Sequence, residues 1–289
     1  MNTKWTSFRG RSPRNLTLIF FVLCFPLAAI SESYQGTRGF ALSGALRGTV
    51  SLNEAIYFNP AAFAFASRYS IEGGSSFLPM PGAKPAWIYS GSVIDSQTKW
   101  LSGGFGYYHK TQDIESGKKT ENAYHLAFSK ILSSVIALGT TGKYIEFKDA
   151  VDEREAIDFD VGAFLVLTPK IQVGIVGQNL LSRDVSLIRQ FGLGSRFQVV
   201  DFFFASVDLL KEDRGSFMEN VSLHTGIEMI HENGLVLQGG LSLSDKSAKN
   251  LYSVGIGWSQ HKFGLFYAFQ NSMDGLARQT HALSLRVFY

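Results

Sequence analysis

The chain has 289 residues, of which 45% are hydrophobic and 18% charged, with 29 Gly, 24 Phe, 11 Tyr and 4 Trp against only 7 Pro and 1 Cys. Its formal charge is +3 and its mean hydropathy +0.06. These figures exclude a charge-rich disordered chain and a disulfide scaffold. They also exclude a bundle of membrane helices, since no apolar run after residue 30 approaches the ~20 residues that span a bilayer. What remains is a Gly- and aromatic-rich, all-β chain.

The first element is an address. Lys4, Arg9, Arg11 and Arg14 form a basic stretch, Leu16 to Ile30 is a nearly unbroken apolar run, and Ala29-Ile30-Ser31 offers small residues just before Glu32. This is the pattern of a secretory signal peptide over residues 1–31. A membrane anchor is the alternative, but the run is short for one. Leu23 before Cys24 argues against a lipidated signal. Cleavage removes those four bases and none of the 24 acids, leaving a mature chain at −1. The pI of 8.8 therefore gives no reason to expect nucleic acid as a partner. The single Cys leaves too, which suits an exported product.

Residues 32–67 do not alternate. They hold Gly39-Phe40-Ala41-Leu42-Ser43-Gly44-Ala45, then Asn53-Glu54-Ala55, then Asn59-Pro60-Ala61 before an apolar run. Pro60 ends any strand and fixes φ, and Asn59 before it is biased to an extended or turn conformation. The segment is too apolar for an exposed tail and needs cover from the rest of the chain.

From Tyr69 onward the apolar period is two. Ile157, Phe159, Val161 and Ala163 alternate with Asp158, Asp160 and Gly162; Leu235, Leu237, Leu241 and Leu243 share a face opposite Gln238, Gly240 and Ser242. Strands are predicted near 68–78, 85–95, 99–109, 121–131, 134–147, 156–167, 171–180, 189–199, 201–210, 220–230, 234–244, 250–259, 262–271 and 279–289. Many have the length of a membrane-crossing strand rather than of a sandwich strand, and the polar face is mostly Gly, Ser, Gln and lone acids, as in a confined wet lumen. About 14 strands is an even number, and tight connections alternate with longer charged ones such as Lys110 to Thr120 and Leu181 to Ile188. Both are features of a bacterial outer-membrane barrel. The expected architecture is a transmembrane antiparallel β-barrel over 68–289 with residues 32–67 as a plug in its interior. The last strand alternates through Leu285 and Val287 and stops on Tyr289. It resembles the assembly signal of outer-membrane barrels, which implies barrel-assembly machinery and outer-membrane lipid as partners.

Taken with this strand series, the run Gly39 to Ala45 followed by Asn53-Glu54-Ala55 and Asn59-Pro60-Ala61 resembles the N-terminal hatch of the long-chain fatty-acid transporter (FadL) family and of the related PorV/PorQ-like outer-membrane proteins. The resemblance covers residues 36–67 in motif and the remainder in architecture. It implies a Gram-negative outer-membrane barrel whose lumen is closed by a hatch built around Asn59, Pro60 and Ala61, and which binds or moves small hydrophobic, fatty-acid-like molecules. The long outer insertions of fatty-acid transporters are missing. The PorV-like branch implies instead a non-transporting anchor or shuttle for secreted or envelope proteins. An open porin is a third, weaker reading.

Catalytic chemistry has no foothold in the sequence. Six scattered His form no HExxH, no Cys pairs exist for zinc, and no GxSxG or phosphate loop occurs. No enzyme, cofactor or metal is expected. Asp158, Asp160, Arg196, His224, Glu228 and Arg286 fall on the polar face, with Gln172, Gln178 and Gln238. They are candidates for a polar lumen track or a plug-holding network; the plainer reading is solvated interior residues. Phe202, Phe203 and Phe204 are consecutive, so at least one points inward.

Overall fold

A computed structural model describes residues 34–289 apart from 81, 99, 116, 183, 185, 217–218, 246–249 and 275–278. The expected signal peptide over 1–31 lies outside the described residues. The chain opens with helix α1 (Gly36–Ala41), helix α2 (Ala55–Phe58) and a 3-10 turn (Ala62–Ala66). Then come β1 (Tyr69–Leu78), β2 (Ala86–Asp95), β3 (Ser102–Ile114), β4 (Gly117–Ser133), β5 (Ile136–Lys148), β6 (Glu153–Thr168) and β7 (Ile171–Gln178). The ring continues with β8 (Gln190–Val200), β9 (Phe203–Glu212), β10 (Val221–Ile230), β11 (Leu235–Ser244), β12 (Leu251–Ser259), β13 (Phe263–Ser272) and β14 (Gln279–Phe288). Each strand pairs antiparallel with its sequence neighbours, and β14 returns to β1 through Ser70 opposite Phe288 to Phe77 opposite His281. The sheet is a closed 14-strand barrel with no free edge.

Period-two alternation divides the two faces. Leu126, Ile157 and Leu285 stand outward at 52%, 62% and 52% exposure. Asp158, Asp160, Ser253 and Arg286, one register step away on the same strands or their neighbours, are buried inside. An outer surface this apolar needs lipid rather than water. Trp87, Tyr89, Trp100, Tyr252 and Trp258 also face outward, where interfacial rings belong.

The connections after β4, β6, β8, β10 and β12 are tight turns, and the longest connections, after β7 and β9, mark the outer end. One expected loop is absent. Lys110 to Thr120 is mostly strand, because Lys110 pairs with Glu121, Gln112 with Lys119 and Asp113 with Lys118, up to a turn between Ile114 and Gly117. Opposite charges across the ladder extend the hairpin beyond its apolar part, and apolar periodicity carries no record of that pairing.

A closed hydrogen-bonded ring withstands detergent at room temperature and opens on heating. The protein is therefore expected to migrate faster on a denaturing gel unboiled than boiled, with β-type circular dichroism in detergent. Identical mobility under both conditions would contradict the barrel.

Candidate functional site in the barrel interior

The site is the set of contacts between residues 34–66 and the inward faces of the strands. It begins with glycine. A Cβ at Gly162 of β6 would overlap the Asn59 side chain, one at Gly174 of β7 would overlap the Arg47 carbonyl, and one at Gly240 of β11 would overlap the Leu42–Ser43 backbone. The wall is thinned where the segment's main chain approaches it. Ala41, Ala55, Ala61 and Ala62 complete the fit from the segment side, each essentially without solvent contact.

An irregular backbone packed against the inside of a barrel is shielded from bulk water, and here the wall supplies its partners. Ser253 Oγ donates to the Ala41 carbonyl at 2.8 Å, and His224 Nδ1 donates to that of Ser43 at 2.7 Å. Thr141 Oγ1 donates to Ile56 O at 3.1 Å, Gln178 Nε2 to Tyr57 O at 2.7 Å, and Ser129 Oγ to Ala61 O at 3.2 Å. The donors come from β4, β5, β7, β10 and β12, most of the way around the ring. The His224 tautomer follows from its partner, since a carbonyl accepts only from a protonated Nδ1.

Asn59 is the segment's own joint. Its amide nitrogen donates to Arg47 O at 3.0 Å and to Ala163 O of β6 at 3.1 Å, and its Oδ1 accepts from the Ala61 N–H at 3.1 Å. One side chain thus ties two parts of the segment to each other and to the wall. Pro60 needs no donor at its position and holds the turn that aims Asn59.

Charge does the rest. Arg38 of α1 makes a two-pronged contact with Glu228 of β10, at 2.9 Å and 2.7 Å. Arg196 of β8 shares that carboxylate at 3.1 Å, and Gln238 of β11 donates to it at 2.7 Å. On the far side Arg286 of β14 holds Glu54 of the segment at 2.5 Å together with Glu72 of β1. The segment is thus held at two charged clusters, Arg38 with Glu228 and Arg196 on one side and Glu54 with Arg286 and Glu72 on the other, and β8 and β1 stand on opposite sides of the ring. A separate pair joins Arg47 to Asp208 of β9, whose Oδ2 also accepts from the Arg47 N–H at 2.7 Å. Burying these groups unpaired would be costly; paired and hydrogen-bonded, they fix the segment's position.

Above the segment lies an apolar layer. Tyr34 and Phe40 of the segment pack with inward Ile88, Tyr108, Ala123 and Ile145, and with Leu187 of the connection after β7. Tyr34 meets Tyr57 edge-on at 5.0 Å and Tyr108 at 5.3 Å, and Tyr57 meets His125 at 5.0 Å. Burial, reinforced by the Glu72 carboxylate, raises the Tyr34 hydroxyl above its ordinary range, so it stays protonated in its contact with Ser90.

The six lumen candidates all lie inside, but they do different things. Arg196, His224, Glu228 and Arg286 contact the segment or its partners. Asp158 and Asp160 do not: Asp158 accepts from the Leu181 and Ser182 N–H groups at 2.9 and 3.0 Å, and Asp160 takes Lys143 at 2.7 Å and the Asn179 N–H at 2.8 Å. They hold the connection after β7 in place. Of the three adjacent phenylalanines, Phe204 is inward, and Arg196 covers its ring at 3.8 Å rather than leaving a greasy wall. Sequence reasoning did not single out Arg38, Arg47 or Asp208, and it gave Glu54 no role beyond its place in the Asn53-Glu54-Ala55 element. Arg38, Arg47 and Glu54 were legible as charges in an otherwise apolar segment. Among the described residues no group of three or more His, Cys, Asp or Glu is arranged to hold a metal.

No protein-family model matches the chain, and no curated protein matches it in sequence. Its fold, however, is that of solved outer-membrane channels. The Pseudomonas putida toluene transporter TodX superposes with a TM-score of 0.65 at 12% identity, covering 88% of this chain and 96% of that one. A Pseudomonas aeruginosa FadL homologue gives 0.63 at 12%, covering 88% and 98%. The Ralstonia pickettii toluene transporter TbuX gives 0.62 at 10%, covering 88% and 98%.

Arg286→Met leaves Glu54 and Glu72 buried without a cation and should cost roughly 3–5 kcal/mol, read as a lower temperature for loss of the compact gel band. Gly174→Leu should overpack the seat by about 1–3 kcal/mol. It should speed hydrogen exchange in residues 40–62 while the strands stay protected. The chain thus shares its fold with the toluene transporters and the FadL homologue, with its N-terminal segment bound to the inner wall by glycine contacts, carbonyl donors and ion pairs.

Proposed function

We propose that the protein is a Gram-negative outer-membrane channel for small hydrophobic molecules, with residues 1–31 as an export signal, 32–67 as a hatch and 68–289 as the barrel. The observation that carries this reading is the combination inside one ring: an apolar layer at the outer end, resting on a segment held by separable polar ties. A solvated pore for ions would need an open polar path. The fold shared with toluene transporters and a FadL homologue supports the same reading. Asn59, Pro60 and Ala61 set the hatch's shape, while Arg196, His224, Glu228 and Arg286 hold it. Leu285, Val287 and Tyr289 present an outward, C-terminal face suited to the barrel-assembly machinery; Tyr289 is 75% exposed.

The second reading is an anchor or shuttle for secreted or envelope proteins. The hairpin of β3 and β4 favours it, since its charged tip gives a partner a ready contact.

Deleting Asn53 to Ala64 should leave a foldable barrel, because the strand ladder begins later. The deletion protein is expected to conduct ions in planar bilayers while the parent conducts little. The parent, reconstituted in liposomes, should speed entry of toluene relative to empty vesicles. Equal conductance in parent and deletion would contradict the hatch. A closed parent that passes no toluene would favour the anchoring role.

A further inference from the structure

We infer that cargo enters this barrel through a notch in its wall above β7, and that the connection from Asn179 to Arg189 is the lid of that notch. The inference rests on the channel reading above and adds the entry side to it.

The notch follows from strand length. β7 pairs with β6 only from Gly177 opposite Val161 to Ile171 opposite Thr168, while on its other side β6 stays paired with β5 as far as Glu153 opposite Lys148. The upper part of β6, from Glu153 to Asp160, therefore runs past the end of its β7 ladder. The apolar layer leads straight to this break. Tyr108, Ala123, Ile145 and Ala156 face inward directly opposite one another across β3 to β6, and all four belong to the layer. Its next member comes from the connection, as Leu187, rather than from β7. A cavity of ≈ 270 Å³ lined by Glu155, Ala156, Ile157 and Asp184 lies at the same place.

The height of the notch decides what it opens to. Outward Tyr107, Tyr124 and Tyr144 stand side by side with ring centres 5.0 and 6.0 Å apart, and Tyr144 faces Ile157 across the β5–β6 ladder. Such rings mark the membrane interface. Glu153 to Ala156 lie beyond that level, toward headgroups and the outside medium rather than the lipid core. The connection after β1 also touches the layer, through Met80, but β1 is paired on both sides to Phe77, so the wall beneath it is complete.

The connection is built to move as one piece. Asn179 Nδ2 donates to Ile188 O at 2.9 Å, Ser182 Oγ to Leu187 O at 3.0 Å and Arg189 Nε to Leu180 O at 3.2 Å, so it closes on itself in the manner of an Ω-loop. Its neck is anchored by Asp158 and Asp160, both buried. Its far end is clasped by Arg154 of β6, which reaches Asp184 at 3.4 Å and donates to Ser186 Oγ at 2.9 Å. Arg154 is 38% exposed, so water competes for this clasp as it does not for the neck. The far end is the part that releases, and its release withdraws Leu187 from the layer.

The test has two arms. In the first, Ala123→Cys puts a thiol in the layer, and the full protein in detergent is treated with N-ethylmaleimide. Adding Arg154→Gln is expected to speed alkylation about threefold, the worth of a half-exposed ion pair. Leu187→Ala, which removes the stopper, should speed it about tenfold or more. Gln112→Ala, which frees the Met80 connection instead, should leave the rate unchanged. The compact gel band of each variant confirms its barrel. In the second arm, R154C with S186C is linked by a short bifunctional thiol reagent that takes over the span of the arginine side chain. The link is expected to stop toluene entry into liposomes, while each single cysteine treated alike keeps it. Toluene entry at the parent rate through the linked protein would overturn the inference and leave the channel reading standing. So would alkylation that follows Gln112→Ala rather than Arg154→Gln and Leu187→Ala. A parent that passes no toluene would overturn the channel reading and the entry route with it.

Discussion

Arg286 sits at the point where closure of the barrel and seating of the segment become one interaction. It belongs to β14, the strand that closes the ring onto β1, and it holds Glu72 of β1 and Glu54 of the segment at once. All three groups are buried, so each depends on the others to offset desolvation. A second cluster, Arg38 with Glu228 and Arg196, holds the segment from the opposite side of the ring. A segment with little regular structure of its own thereby acquires one position.

The rest follows from the solvent a barrel interior offers. Two short helices and a 3-10 turn cannot satisfy their own backbone groups, and irregular chain at membrane depth persists only where protein or trapped water completes it. The wall answers with Ser, Thr, Gln and His where carbonyls face it and with glycine where the main chain passes closest. The outer face answers lipid with the opposite composition. One alternation of residue types along each strand thus encodes both solvents, the membrane on one side and the segment on the other.

The barrel was highly legible because its signal is local. Period two, strand length and the alternation of turn lengths can be read in a window of ten residues, and the 14 predicted strands match those observed to within a few residues except at β3 and β4. There the ladder runs on through charged pairs that hydrophobic patterning does not register. The interior was legible only by face. Asp158 and Asp160 are buried, and which backbone they cap depends on the connection after β7. Arg38 with Glu228 and Glu54 with Arg286 are separated by 190 and 232 residues, and no local pattern marks such pairs. Asn59 was the exception: an amide before proline in an apolar run announces a turn with donors and an acceptor to place.

The central claim is that the segment sits against the inner wall and must move for cargo to pass. It is tested most directly by joining Ser43 and Ser253, whose hydroxyls lie 2.7 Å apart, through a cysteine pair, S43C with S253C. Cys24, the chain's only native cysteine, falls within the expected export signal. On oxidation the pair is expected to form an intramolecular bridge, detected by mass spectrometry, that stops toluene entry into liposomes until a reductant restores it. Failure of the bridge to form in a folded barrel, or toluene entry at the parent rate through the bridged protein, would contradict the account.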